Sequence, residues 1–280
     1  MNILVTGCAG FIGFHVSLHL LKKNQKVLGI DNINNYYDTR LKIDRLKILK
    51  KYKNFVYKKV DISNNLSIKK IFNTYKLKYV VHLAAQAGVR YSLSNPDTYF
   101  QSNISGHYNL MFYSNKFKVK HFLFASSSSV YGNSRNFPLN ENERTDTPQS
   151  FYAASKKINE IMTYSFSASY KLPSTSLRFF TVYGPYGRPD MFLFKLVKAI
   201  TEKKKINIHN FGNHERDFTY VGDVAESIVK LIKFSPTKDT PYNTFNIGSN
   251  NPTKLKKFIN IVEEKFKKKA MKKNIKLQKG

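Results

Sequence analysis

The chain begins with an apolar segment at residues 2–6 that runs directly into a glycine-rich stretch, GCAGFIG, at residues 7–13. The apolar residues that follow recur with the period of a helix. A glycine turn between a buried strand and a helix lets the backbone approach a pyrophosphate, because the helix N-terminus offers free N–H groups and the positive end of a dipole. The pattern therefore predicts a dinucleotide site.

A second apolar strand, at residues 26–30, is followed by Asp31. An acid at this distance from the glycine turn can accept hydrogen bonds from the adenosine ribose hydroxyls of a bound dinucleotide. The same carboxylate would repel a 2′-phosphate. The sequence therefore predicts NAD rather than NADP as the cofactor.

Strands and helices continue to alternate, as is typical of a parallel sheet covered on both faces. Further strands are predicted at 55–58, 79–83, 121–125 and 174–179, and helices at 40–51, 67–76, 96–115 and 149–170. The predicted fold class is α/β, a doubly wound parallel Rossmann sheet with a smaller, incomplete C-terminal substrate lobe. Ligands bind such sheets outside the carboxyl ends of the strands, so we expect the residues that follow each strand to form the site.

The pattern changes after residue 180, where prolines and glycines divide the chain into shorter pieces. We expect an NAD-binding Rossmann domain at 1–180 and a substrate lobe at 181–280, with 221–234 packing back on the Rossmann domain. Within the lobe the sequence predicts a strand at 244–247 and a helix at 253–268.

Two further features indicate proton transfer. Tyr152 and Lys156 are four residues apart in a predicted helix, so their side chains share one face. A phenol ionises near pH ~10 in water, and a neighbouring cation favours the phenolate, which can then act as a general base. A run of serines at 126–129 follows a predicted strand, and a hydroxyl at that point could relay a substrate proton to Tyr152.

Composition bears on partners and location. The formal charge of +29 comes from 47 Lys and Arg against 18 Asp and Glu. The lysines are spread along the whole chain, which favours solvated faces over a nucleic-acid surface, although a positive field would assist the capture of anionic substrates. No apolar run approaches the ~20 residues of a membrane span, and the single Cys8 fits a reducing compartment. We expect a cytoplasmic protein without nucleic-acid or membrane partners.

Several motifs together identify a family. They are VTGCAGFIG at the start, HLAAQAGVRYS at 82–92, FASSSSVYG at 124–132, YAASK at 152–156, LRFFTVYGPYGRPDM at 177–191 and RDFTYVGDV at 216–224. The set resembles the extended short-chain dehydrogenase/reductases, specifically the nucleotide-sugar epimerases. With IDNINNYYDTRLKIDRL at 30–46, it is most similar to the UDP-glucuronate 4-epimerases.

The resemblance implies NAD-dependent 4-epimerisation of a UDP-sugar, most simply UDP-glucuronate to UDP-galacturonate, through a transient 4-keto intermediate. It implies that Tyr152 is the base, that Lys156 lowers its pKa and that Ser127 is the hydroxyl residue, with Ser126 and Ser128 left open. The expected cofactor-binding residues, besides Tyr152 and Lys156, are Gly7, Gly10, Phe11, Ile12, Gly13, Asp31, Asn32, Asp61, Ile62, Leu83, Ala84, Ala85, Gln86 and Asn103.

The expected substrate-binding residues are Arg90, Ser127, Ser128, Thr181, Arg188 and Arg216. Arg216 would bind the UDP diphosphate, and Arg90, Thr181 and Arg188 are candidates for the C6 carboxylate. No metal site is predicted. The resemblance also implies a homodimer formed through the helices at 96–115 and 149–170.

Alternatives remain open at this stage. They are a 4-epimerase of UDP-glucose or UDP-N-acetylglucosamine, a decarboxylase or dehydratase that lets the ketone persist, and a shortened, non-catalytic NAD-binding remnant. The last arises because KNIKLQKG at 273–280 resembles a family stretch after which relatives usually continue further. We accordingly expect NAD binding to survive and epimerisation to be weak or absent.

Overall fold

A computed structural model describes residues 2–134 and 136–276, so the last four residues of the 273–280 segment lie outside the described part. The strands are β1 (Asn2–Thr6), β2 (Lys26–Asp31), β3 (Phe55–Lys59), β4 (Tyr79–His82), β5 (His121–Ser127), β6 (Ser174–Phe179), β7 (Thr181–Tyr183), β8 (Lys205–His209), β9 (Glu215–Tyr220), β10 (Tyr242–Ile247), β11 (Pro252–Lys254) and β12 (Met271–Ile275). The α-helices are α1 (Phe11–Lys22), α2 (Thr39–Leu49), α3 (Asn65–Thr74), α4 (Tyr91–Ser94), α5 (Pro96–Tyr99), α6 (Gly106–Lys116), α7 (Phe151–Tyr170), α8 (Phe192–Thr201), α9 (Val221–Leu231) and α10 (Leu255–Phe266).

The main sheet of the described residues has seven strands in the order β10-β6-β5-β4-β1-β2-β3, and every neighbouring pair is parallel. The order reverses at β1, because β2 and β3 lie on one side of it and β4, β5 and β6 on the other. Strand β6 is buried at every position, as expected of a strand covered by helices on both faces. The predicted doubly wound Rossmann fold is confirmed.

Strand β10 lies in this main sheet, where Tyr242–Ile247 pairs with β6 along its whole length. The sequence placed this strand in the C-terminal lobe, because pairing between distant segments leaves no local signal. Helix α9 also belongs to the Rossmann core, where Val224 and Ile228 pack in one cluster with Phe14 and Leu20 of α1. The chain after residue 180 therefore contributes to both parts of the molecule, and the division at 180/181 stays a prediction.

The described part of the smaller lobe is built from two short sheets and two helices. In the described residues one sheet has the order β11-β9-β7, and β12 pairs with β8 in parallel. Its own apolar cluster includes Leu196 and Ile200 of α8 with Leu255 and Ile259 of α10. Strand β7 follows β6 after one residue, so the lobe begins at the carboxyl edge of the main sheet.

The structure divides the single helix expected at 96–115. A π-helical segment, Phe100–Ser105, joins α5 to α6. Such segments occur mainly as local bulges, frequently near functional sites, and this one carries the buried Asn103. Within residues 2–134 and 136–276, no helix has both the length and the apolar character that crossing a membrane requires.

Candidate active site

The turn between β1 and α1 can only be made by glycine. Gly7 has a φ of +69°, and a Cβ added there would lie 2.8 Å from the backbone nitrogen of Ala84. A Cβ on Gly13 would lie 2.0 Å from the carbonyl oxygen of Gly7. The N–H of Gly10 donates to that same carbonyl at 2.9 Å. The first turn of α1 is therefore held directly against the end of β1.

Helix α1 begins without a side-chain cap, since Gly10 is its N-cap residue. The first N–H groups of a helix have no intrahelical acceptor, so residues 11–13 present donors and the positive dipole end. Asp31 closes the other side, where its carboxylate accepts from the N–H groups of Ala9 at 3.1 Å and Ile33 at 2.8 Å. Burial raises the pKa of Asp31. A carboxylate with two backbone donors keeps acceptor capacity for ribose hydroxyls, so the turn fits a dinucleotide.

The polar residues after β2 and β3 bind each other. Asn32 Nδ2 donates to Asp61 Oδ2 at 2.8 Å, and Asp61 also accepts from the backbone and hydroxyl of Ser63. Ile62 is buried below them and packs against Gly106, where a Cβ would meet its side chain at 2.6 Å. These residues lie at the carboxyl edge of the sheet on the same side as Asp31. Their predicted contact with the adenosine half of NAD stays a prediction.

The loop after β4 is held by two buried side chains. Thr6 Oγ1 accepts from the N–H groups of Leu83 at 3.2 Å and Ala84 at 3.0 Å. Asn103 bonds both the N–H and the carbonyl of Gln86, and its Nδ2 also donates to the hydroxyl of Ser155. Asn103 thus braces the loop against α7, and its predicted contact with the cofactor stays a prediction.

Helix α7 presents the catalytic candidates. Its N-cap is Ser150, whose Oγ accepts from the N–H of Ala153 at 3.1 Å. Lys156 is almost fully buried, and its Nζ donates to the carbonyl oxygen of Ala125 at 2.9 Å. Burial lowers the pKa of Lys156 to about 8. The ammonium therefore lies between α7 and the end of β5, beneath the serine run.

Burial raises the pKa of Tyr152, while a hydrogen bond with Ser127 and the positive charge of Arg188 act in the opposite direction. The sequence predicted that Lys156 would lower this pKa. In the structure Ser127 and Arg188 are the groups that lower this pKa, and Lys156 Nζ is bonded to the carbonyl of Ala125, so the effect of Lys156 on Tyr152 stays a prediction.

The four serines at 126–129 separate into different roles. Ser126 is buried, and its hydroxyl donates to Glu160 Oε1 at 2.6 Å. Ser127 is close enough to Tyr152 to lower the pKa of its phenol, and its hydroxyl donates to that of Ser129 at 3.0 Å. Ser128 is partly exposed at the start of a 3₁₀ turn. The structure therefore favours Ser127 as the residue that acts with Tyr152.

Arg188 is held by an acid and a phenol. Its Nε and Nη2 donate to the two carboxylate oxygens of Asp190 at 2.9 and 2.5 Å, and the hydroxyl of Tyr36 donates to the same carboxylate at 3.2 Å. Nη1 of Arg188 has no hydrogen-bond partner in the described part of the chain. One edge of this guanidinium is therefore available to a ligand near Tyr152.

The other predicted substrate-binding residues are Arg90, Arg216 and Thr181, and each has different neighbours. Arg90 Nη2 is 3.3 Å from His209 Nε2, and Arg216 Nη1 donates to the carbonyl of Glu215 at 2.8 Å. Thr181 shares an aromatic pocket with Arg188 that Phe11, Phe192, Phe218 and Phe258 also line. Phe218 and Phe258 are stacked, with ring centroids 4.1 Å apart.

Sequence reasoning missed three residues of this region. Tyr36 and Asp190 fix Arg188, and Arg45 is completely buried beside the glycine turn. The available signal was the helical spacing of α2, since Lys42, Arg45 and Leu49 lie on one stripe and all three are buried.

The glycine turn, Asp31 and the Ser127–Tyr152–Lys156 group at one edge of a Rossmann sheet define a dinucleotide-dependent enzyme. Residues 3–248 match the NAD dependent epimerase/dehydratase family, and the chain belongs to that family. It is an NAD-dependent epimerase enzyme, and the turn described above fits that cofactor.

Known proteins resemble the chain over most of its length. It is 47% identical to Protein CapI of Staphylococcus aureus, over 100% of this chain and 88% of that protein. It is 45% identical to a UDP-glucuronate 4-epimerase of Thermodesulfobacterium geofontis, over 95% of this chain and 81% of that protein. A solved UDP-glucuronic acid 4-epimerase from Bacillus cereus, in complex with UDP-glucuronic acid and NAD, superposes with a TM-score of 0.92 at 32% identity, over 100% of this chain and 88% of that one.

Proposed function

We propose that the chain interconverts UDP-glucuronate and UDP-galacturonate by NAD-dependent epimerisation at C4, with Tyr152 as the base. The observation that carries this proposal is that Lys156 Nζ donates to the carbonyl of Ala125 at 2.9 Å, which sets the same face of α7, with Tyr152, beside the serine run, where Ser127 and Arg188 lower the pKa of the phenol. A base, a hydroxyl and a cation then stand together at the carboxyl edge of the sheet. The similarity to the two UDP-glucuronate epimerases supports the choice of sugar.

The protein residues would act in sequence. Tyr152 removes the proton of the 4-hydroxyl, and Ser127 hydrogen-bonds the same sugar oxygen. Bound NAD supplies the chemistry of accepting a hydride from C4 and returning it. The 4-keto sugar then rotates so that its opposite face is presented to the cofactor. Tyr152 gives the proton back, and the configuration at C4 is inverted. Lys156 stays beneath the site as a buried cation and stabilises the phenolate at a distance.

The carboxylate of glucuronate sets a further requirement. A 4-ketone is β to the C6 carboxylate, and such acids lose CO₂ readily when the bond to the carboxylate aligns with the carbonyl π system. The free Nη1 edge of Arg188 can donate a hydrogen bond to one carboxylate oxygen while Asp190 fixes the rest of the guanidinium. Thr181 and Arg90 are the other proposed contacts at C6. Arg188 would thus orient the carboxylate away from the reactive alignment.

Arg216 is the proposed partner of the UDP diphosphate. Arg216 lies at an exposed position of β9, and in the described residues its side chain makes a hydrogen bond only to the backbone of Glu215. Within the described residues Arg216 forms no ion pair, and the neighbouring Asp217 instead accepts hydrogen bonds from the hydroxyl of Thr219 and the N–H of Ser249. An exposed arginine without a carboxylate partner is suited to a phosphate group.

The direct test is product analysis by NMR after incubation with UDP-glucuronate and NAD. The proposal predicts UDP-galacturonate, and Tyr152→Phe should abolish its formation while the exposed Tyr164→Phe on the same helix should not. UDP-glucose and UDP-N-acetylglucosamine, assayed in parallel, identify the alternative epimerases. Release of CO₂ with a pentose product would instead establish a decarboxylase. NAD binding without any conversion would leave a cofactor-binding remnant and overturn the proposal.

We also propose that two copies pair through α6 and α7. Tyr108, Ile161 and Tyr164 are 43%, 57% and 54% exposed. The ring of Tyr108 contacts those of Phe112 and Phe166, so the apolar surface is continuous across both helices. Ile161→Glu should convert a dimer to a monomer in sedimentation, whereas Ile43→Glu, at another exposed position, on α2, should not. A monomeric parent protein would exclude this proposal.

A cytoplasmic location is proposed from the single cysteine. Cys8 is buried inside the cofactor turn, so it needs no oxidising compartment. Cell fractionation tests this, and recovery in an exported fraction would exclude it.

A further inference from the structure

Arg45 of α2 joins the two halves of the site. Its side chain is completely buried. Nη1 donates to the carbonyl oxygen of Ala9, in the glycine turn, and to the hydroxyl of Tyr37, both at 2.7 Å. Nη2 donates to the carbonyl of Tyr186 at 2.6 Å and contacts that of Gly187 at 3.5 Å. One planar guanidinium therefore holds the cofactor turn and the loop at 184–190 together.

The bonds of Arg45 all go to neutral oxygens, although its charge is buried. Its Nε has no hydrogen-bond partner in the part of the chain that the structure describes. Burial raises the pKa of Asp31, and the charge of Arg45 is near enough to that carboxylate to oppose the rise, but the hydrogen bonds of the guanidinium go to other acceptors. A buried cation held in this way is costly, so the contact is not explained by stability alone. A geometric role is the simplest account, because the planar fork of arginine fixes the relative position of the acceptors it binds.

The loop at 184–190 depends on the cofactor side for its position. His15 of α1 is hydrogen-bonded to the carbonyl of Pro185 at 2.9 Å, and Phe14 packs against the ring of Tyr186. The same loop carries Arg188 and Asp190, which are hydrogen-bonded to each other. Tyr36, in the segment after Asp31, donates its hydroxyl to Asp190. Arg188, the residue proposed to bind the sugar carboxylate, therefore lies in a loop that contacts the elements around the dinucleotide site.

We propose that Arg45 is a positioning residue which couples occupancy of the glycine turn to the order of the loop at 184–190, so that NAD increases the affinity for the sugar nucleotide. Binding at the turn restricts Ala9, and Arg45 passes this restriction to Tyr186 and Gly187. The loop is then ordered before the second ligand arrives, which lowers the entropic cost of that second binding step. The coupling is reciprocal, because each ligand must favour the other by the same factor. The sugar-nucleotide part of this inference rests on the proposed function.

Hydrogen exchange tests the first half without any substrate. In the parent protein, freed of bound dinucleotide, NAD should slow amide exchange in residues 184–190 by about tenfold or more. In Arg45→Lys, which keeps the charge but loses the fork, the slowing should fall below about twofold. Equal protection in both proteins would overturn the proposal whatever the enzyme's substrate is.

Calorimetry tests the second half. UDP-glucuronate should bind at least about fivefold more tightly with saturating NAD than without it. In Arg45→Lys this ratio should approach one, while NAD alone still binds. If UDP-glucuronate binds but is not epimerised, the proposed function fails, and the ratio of its affinities with and without NAD still tests the role of Arg45. If UDP-glucuronate does not bind, the hydrogen-exchange experiment alone tests that role.

Matched variants separate coupling from folding. Arg40→Lys changes an arginine of the same helix that is exposed and paired with Asp38, and it should leave both readouts unchanged. Tyr37→Phe removes one acceptor of Arg45 but none of its three carbonyl contacts, so it should keep most of the coupling. If Arg45→Lys and Arg40→Lys give the same ratio as the parent, Arg45 is only a structural residue.

Discussion

The Nζ atom of Lys156 donates to the carbonyl oxygen of Ala125 at 2.9 Å, in a position where only 3% of the lysine is exposed. Burial lowers its pKa to about 8, whereas an unperturbed lysine ionises near ~10.4. The buried ammonium is therefore destabilising to the folded chain, and its proposed action on Tyr152 would account for its retention.

Lys156→Met should consequently stabilise the protein in a pH-dependent way. Below about pH 8 the lysine is charged in both the folded and the unfolded states, and only the folded state bears the desolvation cost. Between about pH 8 and 10.4 the unfolded chain keeps the proton and the folded chain does not, so the free energy of unfolding of the parent rises with pH. Urea unfolding should show the advantage of Lys156→Met at pH 7 shrinking by about 3 kcal/mol by pH 10.4.

The exposed Lys230→Met provides the control, because its lysine lies on the surface of α9, paired with Glu226. Its difference from the parent should stay nearly constant over the same pH range. A constant difference for Lys156→Met as well would mean that Lys156 is not desolvated in the folded protein.

The pH dependence of turnover should report the surroundings of Tyr152. Burial raises the pKa of this phenol, and Ser127 and Arg188 oppose that rise. Arg188→Met removes a cation that favours the phenolate, so the pKa of Tyr152 should rise and the ascending limb of kcat should move to higher pH by about 1 unit. The ascending limb of the pH profile of kcat is measured from initial rates at saturating substrate between pH 5.5 and 9.5.

Arg90→Met is the comparison for this shift. Arg90 lies against His209 and is not among the groups that act on Tyr152. Its variant can raise KM but should leave the limb in place. If the two variants give the same profile, Arg188 does not influence the base.

The parts of the fold that were predictable from the sequence are those with local signals. The order of β1, glycine turn, α1 and β2 follows from adjacent residues, because only glycine permits the close approach of Gly13 to Gly7. The place of β10 beside β6 depends on pairing between distant segments. The π-helical segment was missed because its residues have the composition of an ordinary helix.

For the site, spacing predicted that Tyr152 and Lys156 share a face, yet it could not show what either side chain touches. The bond of Lys156 to Ala125 and the charge of Arg188 near Tyr152 arise only when β5, α7 and the loop at 184–190 come together. Arg45 was overlooked since a basic residue in a lysine-rich helix normally faces solvent. The roles assigned to the cofactor-binding and substrate-binding residues stay predictions.

The glycine turn offers a graded test. A Cβ at position 13 would lie 2.0 Å from the oxygen of Gly7, whereas one at position 10 would lie 3.0 Å from it. Gly13→Ala should therefore destabilise the protein by about 1–3 kcal/mol and weaken NAD binding more than Gly10→Ala does. Thermal unfolding and NAD calorimetry measure the two effects. Equal affinities in the two variants would show that the turn relaxes freely and is not held by this packing.

A buried ion pair supports the serine run from below. Glu160 of α7 and Arg178 of β6 are joined at 2.9 Å, with side chains that are 6% and 5% exposed. Glu160 Oε1 also accepts from the hydroxyls of Ser126 at 2.6 Å and Ser176 at 3.2 Å. The pair therefore fixes the end of β5, one residue before Ser127, against the catalytic helix.

Removing one member of this pair should cost more than removing both. Glu160→Leu leaves Arg178 as an uncompensated buried charge, and we expect a loss of about 3–5 kcal/mol in the free energy of unfolding. The double variant Glu160→Leu/Arg178→Met replaces both charges with apolar groups and should recover at least about half of that loss. Glu226→Leu, which breaks an exposed pair on α9, should change stability by less than about 1 kcal/mol. Denaturant unfolding of the cycle measures these values, and additive losses would mean that the two buried charges act independently.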